Sequence, residues 1–188
     1  MISQNSRNKF ILAVPKGRIL KDAMPILKHA GLEPEPAFFE ASDRRLRFSS
    51  NQENIDIIRV RSFDVATFLA YGAAHIAIAG SDVLNEFNHP EIYAPVDLKI
   101  GKCKLVVAAK EDSISVSDQR QLSHLRVATK YPETTKRYFK EKGVQVDCIK
   151  LNGALEIAPD LGLCRRIVDL VETGSTLSAN GLVEIEEV

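Results

Sequence analysis

Residues 167–181 have the sequence IVDLVETGSTLSANG. The apolar residues 167–171 stop at a polar turn centred on Gly174, which predicts a buried strand followed by a tight turn. Residues 177–181 then predict a short helix ended by Asn-Gly. Backbone N–H groups are unpaired where a helix begins, and glycine lets an anion approach them closely. The stretch therefore predicts an anion-binding turn in an α/β fold, with a turn that binds no ligand as the alternative.

A carboxylate stands beside this predicted turn. Asp169 lies near the end of the predicted strand, and Thr173, Ser175 and Thr176 supply three hydroxyl groups. Hydroxyls can donate hydrogen bonds to a phosphate, whereas an ionised carboxylate only accepts and so suits sugar hydroxyls. The combination predicts a ligand that carries both a phosphate and a sugar.

Composition excludes several classes of function. The chain has 188 residues, with 25 Lys plus Arg and 25 Asp plus Glu, so there is no basic excess to favour nucleic acid. Its apolar runs are shorter than the roughly 20 residues that a membrane-spanning helix needs. Three scattered cysteines predict neither a disulfide framework nor a zinc site. We expect a cytoplasmic globular protein that binds neither nucleic acid nor a membrane.

Strands and helices alternate along the sequence. Apolar runs predict strands at residues 10–14, 46–48, 55–60, 76–79, 103–109, 125–129, 146–151, 167–171 and 182–188. Helical spacing and glycine stops predict helices at residues 19–30, 63–70, 134–142 and 177–181, and another that begins with Ser81 as its N-cap.

This alternation predicts an α/β fold with mostly parallel sheets and helices on both faces. An irregular segment at residues 88–95 separates two runs of the pattern, so we expect two lobes, residues 1–93 and 94–188, with a cleft between them. In such sheets ligands bind beyond the carboxyl ends of the strands. The polar residues at or just past such ends are Lys16, Arg61, Ser81, Lys130, Glu156 and Thr173.

Seven blocks of the sequence, in this order, resemble the ATP phosphoribosyltransferases, which open histidine biosynthesis. The blocks lie at residues 15–19, 61–65, 79–84, 101–105, 128–132, 153–159 and 169–182. The resemblance implies a two-lobed, periplasmic-binding-protein-like (type II) fold with an active-site cleft. It also implies a C-terminal segment that returns to the first lobe, whereas this sequence ends at Val188. The family usually has a small residue and an acid where this chain has Cys164-Arg165.

The resemblance also implies roles for individual residues. Asp169 and Glu156 would be catalytic, and Arg61 with Lys16 would contact phosphoribosyl pyrophosphate (PRPP). The PRPP loop comprises Asp169, Thr173, Gly174, Ser175 and Thr176. The residues implied to contact ATP are Arg44, Ser81, Asp82, Lys130 and Tyr131.

The residues themselves leave alternatives open at several of these positions. Lys16 could lie in a solvated turn, and Arg44 could belong to a solvated edge strand. Ser81-Asp82 could be a helix cap, and Tyr131 could either stack on adenine or pack in the core. No set of residues predicts a protein-bound metal site.

The implied reaction transfers the 5-phosphoribosyl group of PRPP to N1 of ATP and releases pyrophosphate, with Mg²⁺ bound to the substrate. Block spacing resembles the short form, which implies a homodimer of catalytic chains and a hetero-oligomer with a histidyl-tRNA-synthetase-like regulatory subunit. The alternative is a non-catalytic small-anion or solute-binding domain of the same fold. An ordinary purine or pyrimidine phosphoribosyltransferase is disfavoured, because those enzymes resemble one another in two adjacent acids where this chain has Asp169-Leu170.

Overall fold

The structure is a computed structural model that describes residues 9–114 and 125–188. The chain divides into two compact units, the first ending at Gly101 and the second beginning at Lys102. Leu98 and Ile100 pack against the core of the first unit, which explains why that unit extends past the irregular segment. The division that the sequence predicts after residue 93, and the cleft between lobes, stay predictions.

The first unit contains a four-stranded sheet with helices around it. Its strands are β1 (Phe10–Pro15), β2 (Arg47–Ser49), β3 (Ile55–Val60) and β4 (Ile76–Ala77), in the order β2-β3-β1-β4. Its α-helices are α1 (Arg18–His29), α2 (Ser62–Ala70) and α3 (Ser81–Phe87), and Pro36–Phe39 forms a short 3₁₀ helix. β1 is parallel to β3 and β4, whereas β2 is antiparallel to β3.

Strand β1 shows why this sheet has a core on each face. Successive side chains of a strand point to opposite faces, so Leu12 and Val14 pack with α1 while Ile11 and Ala13 pack with Val65 of α2. The continuous apolar run of β1 therefore marks a strand that is covered on both faces.

The second unit contains a five-stranded mixed sheet. Its strands are β5 (Lys104–Lys110), β6 (Leu125–Thr129), β7 (Val146–Lys150), β8 (Arg166–Val171) and β9 (Leu182–Glu187), in the order β7-β6-β8-β5-β9. Its α-helices are α4 (Pro132–Glu141) and α5 (Ser175–Ala179), and it has 3₁₀ helices at Glu111–Ile114 and Leu155–Ile157. β6, β7 and β8 are mutually parallel, but β5 runs antiparallel to β8 and β9.

The alternation along β8 decides which side chains share a face with Asp169. Ile167 and Val171 belong to a core cluster that includes Leu155 and Leu177. Val168 faces the opposite cluster, with Phe139 of α4. Because side chains alternate, Asp169 lies on the face shared with the 3₁₀ helix at residues 155–157 and with α5.

The fold confirms an α/β chain with mixed, largely parallel sheets, and it corrects two local expectations. The strand predicted as buried at residues 76–79 shrinks to the two residues of β4, and Ile76 is 59% exposed. The reason is its position, since within the described part of the chain β4 is an edge strand paired with β1 alone. The other correction is the N-cap of α3, which is Gly80 rather than Ser81.

Candidate active site

Asp169 lies inside β8, before the strand's last residues, where it pairs in register with Val106. Its Oδ1 accepts a hydrogen bond from the backbone N–H of Leu170 at 2.8 Å. Burial raises the pKa of Asp169 above its ordinary value, and the N–H donated by Leu170 opposes that rise. A half-buried carboxylate on a rigid strand is well placed to act on a ligand that excludes water.

Glu156 and Lys130 lie near enough to act electrostatically on Asp169. The carboxylate of Glu156 raises the pKa of Asp169 further, whereas the ammonium of Lys130 lowers it. Glu156 belongs to the 3₁₀ helix that follows Ala154, a non-glycine residue in the left-handed conformation at φ 54°. Three predicted site residues that are separated in sequence thus act on one another: the carboxyl groups of Asp169 and Glu156 and the ammonium of Lys130.

The turn after β8 and the first residues of α5 present hydroxyl groups to solvent, because α5 begins at Ser175 rather than at the predicted residue 177. Thr173 and Ser175 are exposed, and their hydroxyl oxygens lie 3.0 Å apart. Thr176 is exposed as well, and Gly174 has φ 76°, a left-handed conformation that glycine adopts without strain. Convergent hydroxyls on such a turn can donate to phosphate oxygens, as the sequence predicts.

Tyr131 does not match its predicted role in stacking on adenine. Its side chain is 2% exposed, so the ring has no free face, and the alternative of a packing residue holds. The backbone at Tyr131 is fixed, because α4 begins at Pro132 directly after it and its N–H is held by the hydroxyl of Thr129.

In the first unit, Lys16 and Arg61 follow parallel strands as predicted. Lys16 follows β1, and its backbone N–H donates to the carbonyl of Val60 at 2.9 Å, which joins the ends of β1 and β3. Both side chains are exposed, and among the described residues neither forms a side-chain hydrogen bond or an ion pair. Gly17, next to Lys16, has φ 97° and ψ −146°, a conformation open essentially to glycine alone.

The arginines around β2 have different surroundings. Arg45 is paired with Asp43 at 2.7 Å, and Arg47 is paired with Asp56 at 2.7 Å. Arg44 is exposed and forms no ion pair within the part of the chain that the structure describes. Arg44 is therefore the least engaged of the three, and its predicted ATP contact stays a prediction.

Ser81 and Asp82 lie in the first turn of α3. Ser81 is exposed, and Asp82 folds back over Gly80, where a side-chain carbon added to Gly80 would lie 2.0 Å from Asp82 Oδ1. Among the described residues no side chain caps α3 with a hydrogen bond, so the helix-cap alternative is not confirmed, and the predicted ATP contacts of Ser81 and Asp82 stay predictions.

Three further observations bear on the site. Burial raises the pKa of the Cys164 thiol at the residue pair that differs from the family pattern, and its neighbour Arg165 is exposed. Within residues 9–114 and 125–188, no cluster of three or more His, Cys, Asp or Glu could hold a metal ion. The same residues include no helix long and apolar enough to cross a membrane.

Comparison with known proteins decides the family. A family model described as HisG: ATP phosphoribosyltransferase matches residues 61–188. The chain belongs to the ATP phosphoribosyltransferase family. The family member from Rhodospirillum rubrum is 60% identical over 186 residues, covering 99% of this chain and 82% of the relative. The family member from Paramagnetospirillum magneticum is 61% identical over 180 residues, covering 96% of this chain and 82% of the relative.

Solved structures agree with the family and show the fold class. The chain resembles the ATP phosphoribosyl transferase (HisG:HisZ) complex from Thermotoga maritima with a TM-score of 0.78 and 34% identity, covering 95% of this chain and 82% of that one. The chain also resembles an arginine-bound ArgBP mutant from T. maritima with a TM-score of 0.55 and 15% identity, covering 95% of this chain and 82% of that one. At this identity the likeness shows the fold alone. The fold is thus the periplasmic-binding-protein-like one that the sequence resemblance implied.

Proposed function

We propose that this chain is an ATP phosphoribosyltransferase that joins C1 of PRPP to N1 of ATP's adenine and releases pyrophosphate, the first step of histidine biosynthesis. One observation supports this proposal most strongly. In a chain of this family, Asp169 of β8 lies within electrostatic range of Glu156 and Lys130, and β8 leads directly into the exposed hydroxyls at residues 173–176.

The chemistry explains why such a site suffices. Adenine N1 is a weak nucleophile because its lone pair competes with ring delocalisation. Bond breaking therefore runs ahead of bond making, with positive charge on the ribose and negative charge on the leaving pyrophosphate. Asp169 would accept hydrogen bonds from the ribose hydroxyls and oppose the positive charge, while the turn hydroxyls hold the 5′-phosphate. Positioning and charge stabilisation then account for the rate, and no covalent nucleophile is required.

Glu156 and Lys130 give this arrangement its electrostatic balance. Burial and the Glu156 carboxylate raise the pKa of Asp169, and the Lys130 ammonium lowers it, so a cationic sugar ring beside Asp169 would further favour the ionised carboxylate. Lys130 carries the proposed ATP contact at the end of β6. Tyr131 is left out of this proposal, because its ring is buried.

Contacts from Lys16 and Arg61 to pyrophosphate, and from Arg44, Ser81 and Asp82 to ATP, remain predictions of the family resemblance. Exposed cations suit a polyphosphate, and the fork of an arginine suits it particularly well. We propose that Mg²⁺ enters as part of the PRPP complex. Bound to pyrophosphate, the ion would reduce the charge on the leaving group.

A regulatory partner is a further part of the proposal. The similar structure from Thermotoga maritima is a HisG:HisZ complex, which supports a hetero-oligomer with a HisZ-like subunit. The homodimer, the cytoplasmic location and the short form are proposed on the resemblance. We predict that histidine inhibits only in the presence of such a partner, because inhibition at a distance needs a second site with different affinity in two states. Strong inhibition of the isolated chain by histidine in initial-rate assays would contradict this.

The experiment is an initial-rate assay of pyrophosphate release with Mg²⁺, PRPP and ATP, in which each substrate is omitted in turn. Release that needs both substrates and is lost in Asp169→Asn supports the function. Asp147→Asn is the matched control, because Asp147 is an exposed aspartate on the edge strand β7. A solute-binding domain would release no pyrophosphate with any combination of substrates.

A further inference from the structure

One buried hydroxyl links strand β8, which carries Asp169, to the turn that carries Lys130. Thr129 is the last residue of β6, and its side chain is fully buried. A polar group in such a position is costly unless it is hydrogen-bonded. Nothing in the family resemblance or in the proposed reaction gives this hydroxyl a role.

The three hydrogen bonds of Thr129 use its whole capacity. Its Oγ1 donates to the carbonyl of Val168 at 2.8 Å and accepts the backbone N–H of Tyr131 at 2.9 Å. It also accepts from Thr135 Oγ1, the weakest of the three at 3.3 Å. A hydroxyl has one proton and two lone pairs, so the directions of all three bonds are fixed by elimination.

The partners of these bonds give the hydroxyl its significance. The Val168 carbonyl belongs to the peptide group that precedes Asp169, and the Tyr131 N–H belongs to the peptide group that follows Lys130. β6 and β8 are already paired in this region, with Thr129 opposite Val168. The side-chain bonds of Thr129 add one connection to this strand pairing. They join strand β8, which holds the Asp169 carboxylate, to the turn that holds the Lys130 ammonium.

We propose that Thr129 is a positioning residue that fixes the turn of Lys130 relative to the strand of Asp169. This inference rests on the proposed function, since it assumes that Lys130 and Asp169 act on the substrates. Thr129 touches no substrate itself. Its effect is to hold two charged groups at a set separation, and misplacement of site groups by about 1 Å can reduce rates about a hundredfold.

Removal of the hydroxyl tests the proposal. Thr129→Val keeps the side-chain shape but leaves the Tyr131 N–H and the Val168 carbonyl without this partner. We expect kcat to fall by about ten- to a hundredfold, with smaller changes in KM for either substrate. Thr129→Ser keeps the hydroxyl and should restore most of the wild-type kcat. If the valine variant does not fold, Thr129→Ala is measured in its place with the same expectations.

Thr135→Val is the matched control, because Thr135 is also fully buried and its hydroxyl makes the weakest of the three bonds to Thr129, so the bonds of Thr129 to Val168 and Tyr131 stay in place. It should lower the thermal midpoint and keep the wild-type kcat. The proposal is overturned if Thr129→Val keeps the wild-type kcat, if Thr129→Ser does not recover it, or if Thr135→Val loses as much.

Asp169→Asn, assayed alongside, separates this proposal from the proposed function. If Asp169→Asn is impaired and Thr129→Val is not, only the role of Thr129 is overturned. If Asp169→Asn keeps normal turnover, the assignment of Asp169 fails and the role of Thr129 falls with it.

Discussion

The substitution Asp169→Asn removes the charge at the centre of the proposed site and changes little else. The amide oxygen can still accept the Leu170 N–H that now lies 2.8 Å from Oδ1, so the local backbone has no reason to move. Burial and the Glu156 carboxylate raise the pKa of Asp169, which means that the folded state disfavours the ionised form. That penalty on stability is present at pH values above the ordinary pKa, and the neutral amide abolishes it. The free energy of unfolding should therefore stay the same or rise slightly.

Turnover should respond very differently. A preorganised group that opposes transition-state charge in a partly water-excluded site contributes roughly 2.7–4 kcal/mol, which corresponds to about 10²–10³-fold in kcat. The assay is steady-state pyrophosphate release, together with thermal unfolding of both proteins and of Asp147→Asn. Near-normal kcat, or a variant that loses turnover only because it unfolds, would refute the role assigned to Asp169.

Four other substitutions test separate parts of the account. Thr173→Ala and Thr176→Ala should each weaken binding of PRPP by roughly 1.5–3 kcal/mol, the range for a hydrogen bond to a charged group. Binding of ATP should stay nearly unchanged in calorimetric titrations of both variants. Equal losses of PRPP and ATP binding would contradict the loop assignment. Gly17→Ala should lower the free energy of unfolding in urea by about 1–3 kcal/mol, more than the control Gly72→Ala at φ 69°; equal effects would remove the argument from backbone conformation. Glu156→Gln should move the acid limb of the pH profile of kcat/KM to lower pH, because the lost charge had raised the pKa of Asp169; a limb that stays in place or moves up would count against that pairing.

Apolar patterns predicted the strands that are covered on both faces. β3 and β6 have the predicted bounds, because each is a β-branched or apolar run bounded by polar residues. The relative direction of neighbouring strands could not be predicted as well. Alternation and apolar content do not encode whether neighbours run parallel, so the antiparallel pairing of β5 with β8 and β9 could not be inferred from the sequence.

The candidate site, like the fold, could be predicted from the sequence only in part. The exposed hydroxyls at residues 173–176, directly after the strand of Asp169, were predictable, because a carboxylate, a glycine and hydroxyls follow one another along the chain. The burial of Tyr131 was not, since an aromatic residue after a strand suits both stacking and packing, and tertiary packing decides between them.

Thr129 is the residue that reasoning from the sequence missed. The available signal was a threonine that closes an apolar strand, where a buried hydroxyl must find partners. Those partners lie on β8 and on the turn before α4, and only the paired sheet shows that they converge on one hydroxyl.

The central claim is the identity of the bond that forms. The most direct measurement is an NMR spectrum of the product made by the full chain from PRPP labelled with ¹³C at C1 and ATP labelled with ¹⁵N at adenine N1. The account predicts a one-bond coupling between these two nuclei, together with release of pyrophosphate. A product without that coupling, or no product when Mg²⁺ and both substrates are present, would contradict it.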